Sequence, residues 1–223
     1  MKRILAIFIF LSTVCTLQAQ IEVGIQFAPN ISLNRISGLN NDGKINNYTI
    51  NKNASGIRYS AGPIVDFFLK DNIALSTGLL FTIKRSSLEF AIDTNGSTKF
   101  DPVINIQYLQ IPIAVKMYTN EIMSRVQLFF SLGGTLDARI AENVKEGQSV
   151  DFRDEFSKLV DAGLFLGAGI EKGVGQSNKV YAALTYNRGL INVITDDFHP
   201  VVNNDGGLKF NNDLLSLVIG FKF

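Results

Sequence analysis

The chain has 223 residues, enough for one domain or at most two, of which 46% are hydrophobic and 18% charged. That balance is too apolar for a disordered chain and poor in charge for a soluble surface. The net charge of +1 lacks the basic excess of a nucleic-acid binder, and no nucleic-acid partner is expected.

The N-terminus reads as a secretory signal peptide. Lys2 and Arg3 form a short positive region, Ile4 to Leu11 a compact apolar stretch, and Leu17-Gln18-Ala19 a cleavage site ending on a small residue. The apolar run is shorter than the roughly 20 residues of a transmembrane helix. Cleavage is expected after Ala19, dividing the chain into a signal peptide over 1–19 and a domain over 20–223. Cys15 leaves with the signal, because Ser12-Thr13-Val14 lacks the small residue that precedes a lipidated cysteine. Removing Lys2 and Arg3 from 21 basic residues leaves 19 against 20 acidic, a net charge of −1.

No later segment has 18 consecutive apolar residues, which removes helical spans but not barrel strands. The dominant signal is alternation with period two, which sends successive side chains to opposite faces of a strand. The first strand sets Ile21, Val23, Ile25, Phe27, Pro29, Ile31 and Leu33 against Glu22, Gly24, Gln26, Ala28, Asn30 and Ser32. The second sets Ile57, Tyr59, Ala61, Pro63, Val65, Phe67 and Leu69 against Arg58, Ser60, Gly62, Asp66 and Lys70. The third has apolar Ile73, Leu75, Leu79, Phe81 and Ile83 opposed by Ala74, Ser76, Gly78, Thr82 and Lys84.

The same pattern continues through Leu109 to Tyr118, Gln127 to Ile140, Val160 to Glu171, Val180 to Asn187 and Leu215 to Phe223. Its polar faces carry Lys116, Asp137, Arg139, Asp161, Glu171 and Lys222. Eight strands is an even number that closes an antiparallel ring without open edges. Tight links near 70–72, 120–124 and 173–178 alternate with long polar ones over 37–55, 92–102, 142–156 and 192–211. The fold class expected is therefore all-β: an eight-stranded antiparallel transmembrane β-barrel with short periplasmic turns and longer outer loops. A barrel of this size is filled by side chains. The inward charges of both signs are expected to pair, and the inward glycines to make room for Phe129, Phe165 and Tyr181. A soluble ligand-binding barrel would show the inverse polarity.

Several of these segments resemble a known family. The stretch Tyr108-Leu109-Gln110-Ile111-Pro112-Ile113-Ala114-Val115-Lys116 resembles the fourth strand of PorT-family outer-membrane β-barrel proteins of Bacteroidetes. Gly167-Ala168-Gly169-Ile170-Glu171, Tyr186-Asn187-Arg188-Gly189-Leu190 and Leu217-Val218-Ile219-Gly220-Phe221-Lys222-Phe223 resemble its sixth, seventh and last strands. The resemblance covers the barrel and not the loops. It implies residence in the bacterial outer membrane, with lipid and, during biogenesis, the barrel-assembly machinery as partners; Phe223 fits the terminal aromatic of such clients.

No catalytic constellation emerges. His199 is the single histidine, and with Asp196 and Asp197 it reads as part of a solvated loop. Asp93-Thr94-Asn95-Gly96 lacks the spacing and the late Glu of a calcium loop and reads as a turn. Gly167-x-Gly169 lies inside a strand and opens no helix, so it is no phosphate cradle. Catalytic residues, cofactors and metals are expected to be none. The function expected is a non-enzymatic structural or binding role exercised through the outer loops, on an extracellular or envelope partner the sequence does not name. The alternatives are an accessory component of protein secretion across the outer membrane and an outer-membrane hydrolase using His199.

Overall fold

The computed structural model describes residues 20–37, 44–45, 48–52, 56–92, 99–100, 103–145, 157–193 and 209–223. The 1–19 segment with its cleavage site, Cys15, the 93–96 turn, Asp196, Asp197 and His199 lie outside them.

The described residues form twelve strands in chain order: β1 Ile21–Ser37, β2 Lys44–Ile45, β3 Tyr48–Lys52, β4 Ile57–Lys70, β5 Ile73–Gly78, β6 Leu80–Ile92, β7 Lys99–Phe100, β8 Val103–Tyr118, β9 Val126–Lys145, β10 Val160–Val174, β11 Asn178–Gly189 and β12 Lys209–Lys222. Strands β5 and β6 form one stave, broken only at Leu79, whose N–H still donates to the Pro63 carbonyl. Both keep the same register on β4 and β8.

The staves therefore number eight, every pairing is antiparallel, and β1 closes the ring by pairing with both β4 and β12. Closure supplies partners for backbone groups that hydrocarbon cannot satisfy. Two-residue and short turns join β4 to β5, β8 to β9 and β10 to β11 at the end where β1 begins and β12 ends. The long connections leave from the other end, which is thereby the outer one.

The alternation read from the sequence is the wall of this ring. Glu22, Asn30, Asp66, Lys84, Asp161 and Lys222 are buried, while Ile21, Phe27, Leu132, Leu166, Leu184 and Ile219 on the opposite faces are exposed on the outer surface. Phe27, Tyr59 and Phe81 pack in a row across β1, β4 and β6 on that outer surface, with ring centroids 5.9 and 6.3 Å apart.

Three features depart from the expected layout. The segments 37–55 and 92–102 contain β2, β3 and β7, which form a small sheet hung on the outer end of β6. Strand β9 runs past Glu142 to Lys145, and β12 starts at Lys209, so the barrel is taller than the apolar alternation alone suggests. Strand β9 also carries a bulge. Gln107 faces Ala141 while Tyr108 faces Arg139, leaving Ile140 as an extra residue. One inserted residue shifts the phase of the strand by one, so Arg139 below it and Glu142 above it share the inner face.

Candidate functional site: the barrel interior and its outer rim

Side chains fill the bore in two ion-paired levels. The lower level lies near the short turns and centres on Lys222. Its Nζ lies 2.7 Å from Asp66 Oδ2, 2.6 Å from Glu171 Oε2 and 3.1 Å from Glu22 Oε2. Strands β1, β4, β10 and β12 are thus tied through one ammonium. Lys116 adds a 2.9 Å pair to Asp66, and Lys179 bridges Glu22 at 2.6 Å and Glu171 at 3.1 Å. Three cations and three carboxylates balance, as they must when desolvation costs several kcal/mol per unpaired ion, a figure of about that order. The rings of Phe68, Tyr118, Phe129 and Tyr181 pack around them, and Lys222 lies 5.5 Å from the Tyr118 ring centroid.

The upper level is built on Lys84, whose Nζ donates to Asp137 and Asp161 at 2.7 Å each and lies 4.9 Å from the Tyr108 ring. Asp137 and Asp161 face each other across β9 and β10, so this lysine screens two adjacent carboxylates. Above it, Arg139 pairs with Glu142 at 2.7 Å, and Glu142 also accepts from the hydroxyl and the N–H of Ser157.

Between the two levels lies a cavity of about 100 Å³, lined by apolar side chains such as Ile64, Leu80 and Val218 and by the hydroxyl and amide groups of Gln26, Gln110 and Ser131. It is large enough for several waters. Tyr181 borders it and donates to Gln26 Oε1 at 2.9 Å.

Of the inward charges read from the sequence, Asp66, Lys84, Lys116, Asp137, Arg139, Asp161, Glu171 and Lys222 all enter these networks. Arg58 does not. It stands at the outer end of β4, where its guanidinium donates to Asn105 Oδ1 at 2.7 and 2.9 Å and to the Ile57 carbonyl. The glycines make room for two of the three expected rings: a Cβ on Gly220 would fall on the Tyr181 ring, and one on Gly169 would come within 2.5 Å of Phe129 Cζ. Sequence reasoning placed Glu22 on the inner face without assigning it a partner, and passed over Lys179, Glu142 and Ser157. Lys179 lies in a turn-proximal position, and Glu142 reaches the bore only through the bulge.

A further cluster stands on the outside of the wall, just above the apolar band. Asp213 is in the outward phase of Leu215 and Leu217, yet its side chain is only 7% exposed. It accepts from Arg35 Nη1 at 3.2 Å, the Tyr186 hydroxyl at 2.9 Å and the Gly189 N–H at 3.0 Å. Arg35 Nη2 also donates to the Gly189 carbonyl at 3.0 Å.

Comparison with known proteins agrees with this geometry. Residues 18–195 match the family described as outer membrane protein beta-barrel domain. The solved outer membrane protein OprG from Pseudomonas aeruginosa is 14% identical with a TM-score of 0.55, over 91% of this chain and 95% of that one. Neisserial surface protein A is 14% identical with a TM-score of 0.48, over 92% and 97%. No curated protein sequence matches.

Proposed function

The chain belongs to the outer membrane protein beta-barrel domain family, and from that premise we propose that it is a non-enzymatic barrel whose bore is sealed and whose work is done by its outer loops. The observation that carries this reading is the pair of ion-paired levels, centred on Lys222 and Lys84, that fill the bore above and below the cavity. Such networks hold staves together and occupy the bore where a porin keeps an open water path. A binding role then falls to the loops at the outer end, towards an extracellular or envelope partner. Reconstitution in a planar bilayer tests the seal. The expected result is no sustained ion conductance; a steady conductance in the unmodified protein overturns it.

Export through a signal peptide removed after Ala19 is part of the same proposal. The first strand starts at Ile21, one residue beyond Gln20, so the cut leaves every stave whole. N-terminal sequencing of protein from outer-membrane fractions should return Gln20 first.

A role as an accessory of protein secretion is the second reading. Deleting the gene and comparing exported proteins tests it, and an unchanged set counts against it.

A further inference from the structure

We propose that the outer flank of the β11–β12–β1 seam binds the phosphate of an outer-leaflet glycolipid. The residues concerned are Arg35, Arg188 and Lys209, with Asp213 holding Arg35 in place. The inference rests on the outer-membrane placement of the barrel.

The alternation that buries Glu22 and Lys222 sends Arg35, Arg188 and Lys209 to the lipid side. Arg35 continues the outward series Ile31 and Leu33, and Arg188 follows Tyr186. Lys209 faces Ser37 across the seam. Leu33, Leu184 and Leu217 below them are exposed apolar side chains. Three cations therefore stand together on the lipid side toward the outer end of three adjacent strands, above Leu184 and Leu217, where a headgroup region would meet the wall. Arg188 and Lys209 are exposed, and the Arg35 side chain is 34% exposed.

The carboxylate among them is already committed. Asp213 takes donors from Arg35, Tyr186 and Gly189, and Arg35 spends a second donor on the Gly189 carbonyl. This fixes the plane of the guanidinium and leaves its remaining N–H groups to a further acceptor. A guanidinium held in this way suits the paired oxygens of a phosphate better than a mobile ammonium does. Among the described residues, three positive groups against one buried carboxylate leave an excess of two charges, which suits a phosphorylated headgroup better than a neutral one.

The test measures binding of lipid A, with and without its phosphates, to the purified full-length barrel in mild detergent. Native mass spectrometry gives the stoichiometry and affinity, and heat-modifiable migration on the same samples reports folding. The unmodified protein is expected to retain phosphorylated lipid A and to bind the dephosphorylated form at least tenfold more weakly. R35Q/R188Q should lose that preference while still migrating as a folded barrel. If that variant fails to fold, R188Q/K209Q, which leaves the Asp213 contacts intact, should show the same loss. Equal affinity for the two lipids, unchanged preference in the folded variants, or full displacement by millimolar inorganic phosphate would each overturn the proposal. Failure of the unmodified protein to show a folded band would instead overturn the barrel reading itself.

Discussion

Arg139 and Glu142 lie three residues apart on β9 and meet at 2.7 Å inside the barrel. In a regular strand they would face opposite sides of the wall. The extra residue Ile140, which has no partner on β8, advances the phase and brings both side chains inward.

Deleting Ile140 should therefore be tolerated. The deletion restores a regular strand and keeps Gln107 opposite Ala141 and Tyr108 opposite Arg139. Deleting Leu136, within the regular part of β9, should be damaging, because it turns either the residues above it or those below it to the wrong face. Heat-modifiable migration after refolding in detergent should show a folded band for the first variant and its loss for the second.

Lys222→Met should be strongly destabilising. It leaves Glu22, Asp66 and Glu171 around an apolar side chain, and breaking a buried pair costs about 3–5 kcal/mol. The urea midpoint of the refolded barrel should fall accordingly. Adding Glu171→Gln removes one of the abandoned charges and should recover part of the loss. A K222M barrel as stable as the unmodified one would show that the lower level contributes nothing net.

Lys84→Met should expose the repulsion between Asp137 and Asp161, which face each other across two strands. K84M/D161N should be more stable than K84M alone in the same urea titration. The coupling between the two substitutions, measured as a double-mutant cycle, is expected to be about 0.5–3 kcal/mol.

Gly220→Ala should destabilise the barrel, by about 1–3 kcal/mol for overpacking, because its new methyl lands on the Tyr181 ring. Tyr181→Leu in the same chain removes the ring and should relieve the clash. If G220A alone proves neutral, the ring has another place to go.

Leu166→Arg tests the polarity of the wall. Leu166 is 58% exposed, midway along β10, and a cation there meets hydrocarbon at a cost of about 2–4 kcal/mol. Ser131→Ala, on the inner face of the neighbouring β9, should change stability far less. Both are read from folding equilibria in lipid vesicles.

Over their apolar alternations, the faces of the eight staves were written in the sequence, because the period of two is a property of each segment taken alone. Glu22, Asp66, Lys116 and Lys222 could be assigned to the interior with no knowledge of their neighbours. The seam cluster fell outside that reading: the apolar alternation of the last strand begins at Leu215, two residues beyond Asp213, whose charge on the outward face demands a partner. What the partner is could not be read, since Arg35 lies 178 residues away and Tyr186 27.

The same limit hid which interior ions meet. Lys222 reaches Glu22 across 200 residues of chain, and only the register of β12 on β1 sets them at one height. Alternation fixes the face of a residue but not its level, and ion pairing needs both. The bulge at Ile140 falls to the tertiary structure for a related reason. A skipped residue changes nothing in the local alternation until the opposing strand is laid beside it, and then it decides on which side of the membrane wall a charge will stand.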